Sequence, residues 1–124
     1  MRTAEWCLLV VALLPFPWVA LAKADKRFNN NSPRPWLAKL EGWRARALAA
    51  HQNSWEALGL FTAALVVAWH TGAPDGRVNQ LAVAFVVTRI LHGILYLANW
   101  APLRSLVWFI GMICIVWLFV AGVK

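Results

Sequence analysis

Glu56 and Arg89 are charged residues set deep inside otherwise apolar stretches. In hydrocarbon a lone ion costs several kcal/mol and demands an opposite charge, so the two are expected to pair. Other polar residues cluster on the same side of each: His51, Gln52 and Asn53 before Glu56, and His92 and Tyr96 after Arg89. Arg46, Asn53 and Glu56 are spaced seven and three, which is one stripe of a helix; Arg89, His92 and Tyr96, spaced three and four, form another. Arg104 and Ser105 open a further apolar segment. Ser105 is one turn from that helix's start, where backbone donors and the helix dipole favour an anion or a thiolate. Singly these residues have plainer uses. The Glu56–Arg89 pair can staple two helices, His92 can be a packing residue, Tyr96 an interface aromatic and Arg104 a topology determinant. As a set they form a polar seam.

The elements that must carry this seam are membrane spans. The chain has 124 residues, is 61% hydrophobic, and has 12 Lys and Arg against 5 Asp and Glu. A soluble domain is about 45–50% apolar, so too few charges remain here to coat a globule. Disorder is excluded by the same composition, and a zinc module or disulfide scaffold by two distant cysteines. A bilayer core needs roughly 20 apolar residues in a helix. Four helices are expected, over about 3–22, 37–71, 77–99 and 102–123, within one domain covering 1–124. Pro- and Gly-bearing breaks separate them at 23–36, 71–77 and 99–102. Pro15 and Pro17 should kink or break the first helix. Ala20-Leu21-Ala22 resembles a signal-peptidase site. However, one Arg and one Glu in the n-region, the two prolines and three later spans favour a retained segment.

Depth supports the Glu56–Arg89 pairing. Glu56 lies 15 residues from the loop at 71, about 22 Å along a helix; Arg89 lies 12 residues beyond Arg77, about 18 Å. Orientation follows from the basic residues. Lys23, Lys26, Arg27, Arg34, Lys39, Arg44, Arg46 and Arg104 stand on one side, against Arg2, Arg77 and Lys124 on the other. The side rich in Lys and Arg is cytoplasmic by the positive-inside rule, which puts both termini outside. Trp36, Trp43 and Trp100 fall at that boundary, Trp6 and Trp69 at the other. The net charge of +7 is then mainly an orientation signal with some attraction for anionic headgroups, and a nucleic-acid partner is not expected. Cys7 and Cys114 are expected to be free thiols acting as small apolar residues. No metal site is expected, because His51, His70 and His92 do not share a face.

Three motifs carry a resemblance. RARALAAHQNSWEALGLF (44–61) holds His51, Asn53 and Glu56 as His-x-Asn-x-x-Glu. RILHGILYL (89–97) reads Arg-x-x-His-x-x-x-Tyr, and APLRSLVW (101–108) contains Pro-x-Arg-Ser. In this order they resemble the second, third and fourth helices of the MAPEG family, the membrane-associated proteins in eicosanoid and glutathione metabolism, in its bacterial-type branch. The resemblance implies an all-α membrane protein, a four-transmembrane-helix bundle assembled as a homotrimer in the bacterial inner membrane. It implies glutathione as cofactor in a cytoplasm-facing pocket between subunits, lined by Gln52, Asn53, Glu56, Arg89, His92, Tyr96 and Arg104. Arg104 or Ser105 would stabilise the glutathione thiolate for attack on a lipophilic small molecule arriving from the lipid. The sequence also departs from the glutathione-using members. Ala49 and Gln52 stand where they carry arginines, Trp108 where they carry tyrosine, and no arginine occurs between Trp6 and Ala22.

Two functional readings therefore stand together. One is a glutathione-dependent transferase or peroxidase. The other is a non-enzymatic membrane protein that binds lipid or another protein, its seam purely structural. A transporter is disfavoured by small size and the lack of a repeat.

Overall fold

The computed structural model describes Met1–Lys124. The chain is all-helical, with α1 (Thr3–Leu13), α2 (Pro15–Lys23), α3 (Pro33–Leu37), α4 (Gly42–His70), α5 (Asp75–Leu97) and α6 (Ala101–Val120) and no strands. The prolines act on the first helix as chemistry requires. Pro15 and Pro17 have no N–H to give to carbonyls four residues back. Leu14 nevertheless keeps helical angles, so α1 and α2 are joined by a bend and together make one 21-residue apolar run. Thr3–Lys23, Asp75–Leu97 and Ala101–Val120 are each long and apolar enough to cross a membrane. The protein is thus a multi-pass integral membrane protein. The 29-residue α4 is not among these three spans, because its first half carries Arg44, Arg46, His51, Gln52, Asn53 and Glu56.

Helix ends follow local chemistry. The expected second helix does not start at residue 37: Leu37 closes the short α3, and α4 starts only at Gly42. Gly42 has φ +67°, a left-handed angle that turns the chain into α4 and that only glycine adopts cheaply. Helix α4 ends on Gly72 (φ +72°), with Ala73 N–H donating to Ala68 O at 2.9 Å. Helix α5 ends the same way on Asn99 (φ 61°), with Trp100 N–H donating to Leu95 O at 3.0 Å. Both are Schellman-type ends, where a left-handed residue lets the chain satisfy carbonyls the helix leaves free. Pro102 then starts α6 in the first turn, where its missing N–H costs nothing.

The core lies where α4, α5, α6 and α1 meet. Phe61 and Phe85 stack at 4.6 Å between ring centroids, surrounded by Ala4, Ala64, Ala68, Ala82, Ile115 and Leu118. Small residues let helices approach closely in a membrane. Gly111 sits against Thr88 and Gly93 against Trp18. The opposite faces of α6, with Phe109, Ile113 and Val116, are exposed and apolar, as lipid contact requires. Cys7 and Cys114 are free and buried.

One polar contact fixes the start of α1. The buried Ala4 N–H, a donor without a helical partner, is accepted by Asn79 Oδ1 of α5 at 3.0 Å. Asn79→Ala should lower stability by about 1 kcal/mol, as loss of a helix cap does. Thermal unfolding in detergent micelles would show this as a reduced midpoint, with no effect on ligand binding.

The loop from α2 to α3 is clasped by Asp25. Its carboxylate accepts from Arg27 Nη2 at 2.9 Å and lies 3.7 Å from Arg44 Nη1, while Arg44 also donates to Ala24 O at 3.0 Å. The hydrogen bonds from Arg27 hold the Asp25 carboxyl well below the usual carboxylate range. A depressed carboxylate contributes stability above its unfolded value of about 3.9 and loses it as pH falls through the lower folded value. Carbon NMR of the Asp25 carboxyl should therefore show it still ionised at a pH of about 3.9, and Arg27→Gln should return its titration to the ordinary range.

Candidate functional site

The polar seam is built at the end of the bundle where α4 starts, α5 stops and α6 starts. Arg46 donates from Nε and Nη2 to Leu97 O at 3.3 and 3.2 Å, neutralising the carbonyl end of α5. Deeper in, Arg89 is 2% exposed and donates from Nη2 to Asn53 Oδ1 at 2.7 Å. Arg89 Nε has no acceptor. The expected Glu56–Arg89 ion pair is not made: no Glu56 oxygen lies within 4.0 Å of Arg89, and Glu56 is exposed. The reason is angular. Asn53 and Ala57 are four apart and turn toward the bundle, whereas Glu56 is rotated about 100° from Ala57, since a helix turns every 3.6 residues. Equal depth did not bring equal direction.

From Asn53 the seam opens into a cavity of about 220 Å³ lined by Asn53, His92, Tyr96, Arg104, Ser105 and Trp108. His92 is 3% exposed, and its Nδ1 has no partner. Its ring meets Tyr96 edge-on at 5.6 Å, and the Arg104 guanidinium lies over the Tyr96 face, 4.3 Å from the centroid. Arg104 makes no ion pair. A cation held on an aromatic face without a carboxylate is open to an anion. The start of α6 adds its dipole with the same sign.

Five of the expected site residues thus share one cavity: Asn53, His92, Tyr96, Arg104 and Ser105. Arg89 stands behind it and reaches it through Asn53. Gln52 does not join it, and lines a separate groove between α2, α3 and α4. Glu56 faces outward. Trp108, not among the expected site residues, also lines the cavity. The signal was its i, i+4 spacing from Arg104, which puts both on one face of α6. No group of three His, Cys, Asp or Glu is gathered to hold a metal ion.

The profile of the MAPEG family matches residues 3–124, essentially the whole chain. The chain belongs to the MAPEG family. No curated protein and no solved structure is significantly similar to it. Within this MAPEG chain the three motifs of the second, third and fourth long helices converge on the one cavity, which is where Asn53, His92, Tyr96 and Arg104 meet.

Proposed function

We propose that this MAPEG protein is a four-span homotrimer whose cavity, completed by a neighbouring subunit, binds glutathione for transfer to, or reduction of, lipophilic electrophiles. The observation that carries this reading is the unpaired Arg104 beside the unpartnered His92 Nδ1 in one polar cavity. These groups suit a carboxylate or thiolate. The cavity volume of about 220 Å³ is below the roughly 300–1,000 Å³ of ligand pockets. One subunit therefore offers part of a tripeptide site, and a neighbour must supply the rest. Glu56 and Gln52, exposed on α4, are available to such a neighbour. Within a trimer α4 serves as the fourth span: it is flanked by α1, α2, α5 and α6, and its polar half faces subunit contacts rather than lipid. The basic 23–46 region supports a cytoplasmic position for this end of the bundle, with both termini outside a bacterial inner membrane.

In the cavity Arg104 would hold the sulfur as thiolate, since a guanidinium lowers a thiol pKa, with Ser105 as an adjacent donor. Asn53, kept in place by Arg89, and the rings of His92 and Tyr96 would orient the peptide. When bound, glutathione supplies the thiol nucleophile. Calorimetric titration of the purified protein with glutathione tests the reading: saturable binding is expected, and a flat titration at millimolar ligand would overturn it. The non-enzymatic reading draws on the Arg89–Asn53 bond, which ties α5 to α4 with no ligand. Under it, Arg89→Leu would disperse the assembly and no ligand would bind.

A further inference from the structure

Two arginines of α4 each hold the end of another helix. Arg44 donates from Nη2 to the carbonyl of Ala24, which caps α2, and Arg46 donates to the carbonyl of Leu97, the last residue of α5. Two residues apart on a helix is roughly 200° of rotation, so the pair reaches opposite ways. The Leu97 carbonyl is the one that the α5–α6 corner leaves over. The carbonyls of Ile94, Leu95 and Tyr96 accept the N–H groups of Ala98, Trp100 and Asn99, but no backbone N–H reaches Leu97 O. Arg46 covers it with two donors, Nε and Nη2, at 3.3 and 3.2 Å. The Arg46 guanidinium makes no ion pair and no other hydrogen bond.

This corner sets the cavity. Tyr96 immediately precedes Leu97, and Arg104 follows beyond the left-handed Asn99 (φ 61°). The Arg104 guanidinium rests on the Tyr96 ring at 4.3 Å, so a rotation of the corner would slide one off the other. On the α4 side the cavity is lined by Asn53, about two turns beyond Arg46 on the same stripe. Two arginine ties join α4 to α5, Arg46–Leu97 and Arg89–Asn53, and His92 and Tyr96 lie between them on α5. A topology signal would need only the charge of Arg46. Two N–H groups on one oxygen need the planar fork of a guanidinium, whereas lysine is a compact, strongly hydrated point charge. We propose that Arg46 is a positioning residue: by pinning the Leu97 carbonyl to α4 it holds the α5–α6 corner, so that Arg104 stays on Tyr96 and faces the cavity. Its effect on ligand affinity rests on the glutathione reading; its effect on the Tyr96–Arg104 contact does not.

Tyr96 is the only tyrosine in the chain, so 3-fluorotyrosine incorporation into the detergent-purified full chain gives one fluorine resonance. Arg104→Ala marks the position of that resonance when the ring has lost its cation. Arg46→Gln should move the resonance most of the way to this mark. Arg46→Lys, which keeps the charge, should fall between wild type and Arg46→Gln. Arg44→Gln removes the same charge two residues away and should leave the resonance in place. By calorimetry, glutathione affinity should fall about tenfold in Arg46→Gln, less in Arg46→Lys and not in Arg44→Gln. An unmoved resonance in Arg46→Gln would overturn the proposal, as would an equal move in Arg44→Gln, which would mean a general effect of lost charge. If Arg46→Gln does not fold, Arg46→Lys decides: a wild-type resonance overturns the proposal and a displaced one supports it. A moved resonance in Arg46→Gln with no glutathione bound even by the wild type would keep Arg46 in its role and remove the glutathione reading instead.

Discussion

Arg104→Ala is expected to weaken glutathione binding by tenfold to a hundredfold, the loss of a charge-assisted hydrogen bond worth about 1.5–3 kcal/mol. Stability should change little. Arg104 is paired with no carboxylate, and its one defined contact is the Tyr96 face at 4.3 Å. Arg104→Lys keeps the charge but loses the planar fork and its stacking on the ring, so it should recover only part of the affinity. Calorimetry on the three proteins, with thermal unfolding in parallel, checks both halves. Unchanged affinity in Arg104→Ala would remove this guanidinium from the site. A fall in unfolding temperature that matches the fall in affinity would make it a structural residue.

Gly93→Ala is expected to damage the bundle itself. A methyl added at Gly93 runs into the Trp18 indole, the side chain by which α2 rests on α5. Trp18 is buried, so it cannot simply swing into open space. Overpacking of this kind costs about 1–3 kcal/mol. Gly59 is the control. It lies in the same kind of helix interior but faces open space, with nothing within 4 Å of an added Cβ. Gly59→Ala should be neutral or stabilising, since alanine favours the helix by about 0.8–1.0 kcal/mol over glycine. The unfolding midpoint should therefore fall for Gly93→Ala and hold or rise for Gly59→Ala. A shared direction would contradict the Trp18 contact. Gly93 is next to His92, so the same displacement should also disturb the cavity and lower glutathione affinity.

The membrane character of the chain was legible because hydrocarbon leaves few options: long apolar runs, proline breaks and clustered cations each have one physical meaning there. The two Schellman ends follow from a Gly and an Asn at the right offsets. The meeting of His92, Tyr96 and Arg104 was legible too, since i, i+4 spacing and a short α5–α6 turn bring these residues to one end and one face. What spacing does not encode is rotation about the helix axis. Asn53 and Glu56 are three apart, and that remaining angle decides that Asn53 meets Arg89 while Glu56 faces outward. Gln52, one residue before Asn53, is turned by the same geometry into the groove between α2, α3 and α4. The start of α4 at Gly42 was hidden as well, because Ala38 to Glu41 carries residues that suit a helix, and only the left-handed glycine stops it.

The most direct test of the account is an electron-density map of the full chain, reconstituted in lipid with millimolar glutathione. The account predicts a trimer with the peptide between adjacent subunits, its sulfur beside Arg104 and its backbone facing Asn53, His92 and Tyr96. A trimer with that cavity empty, or with Arg104 directed at lipid headgroups, would contradict it.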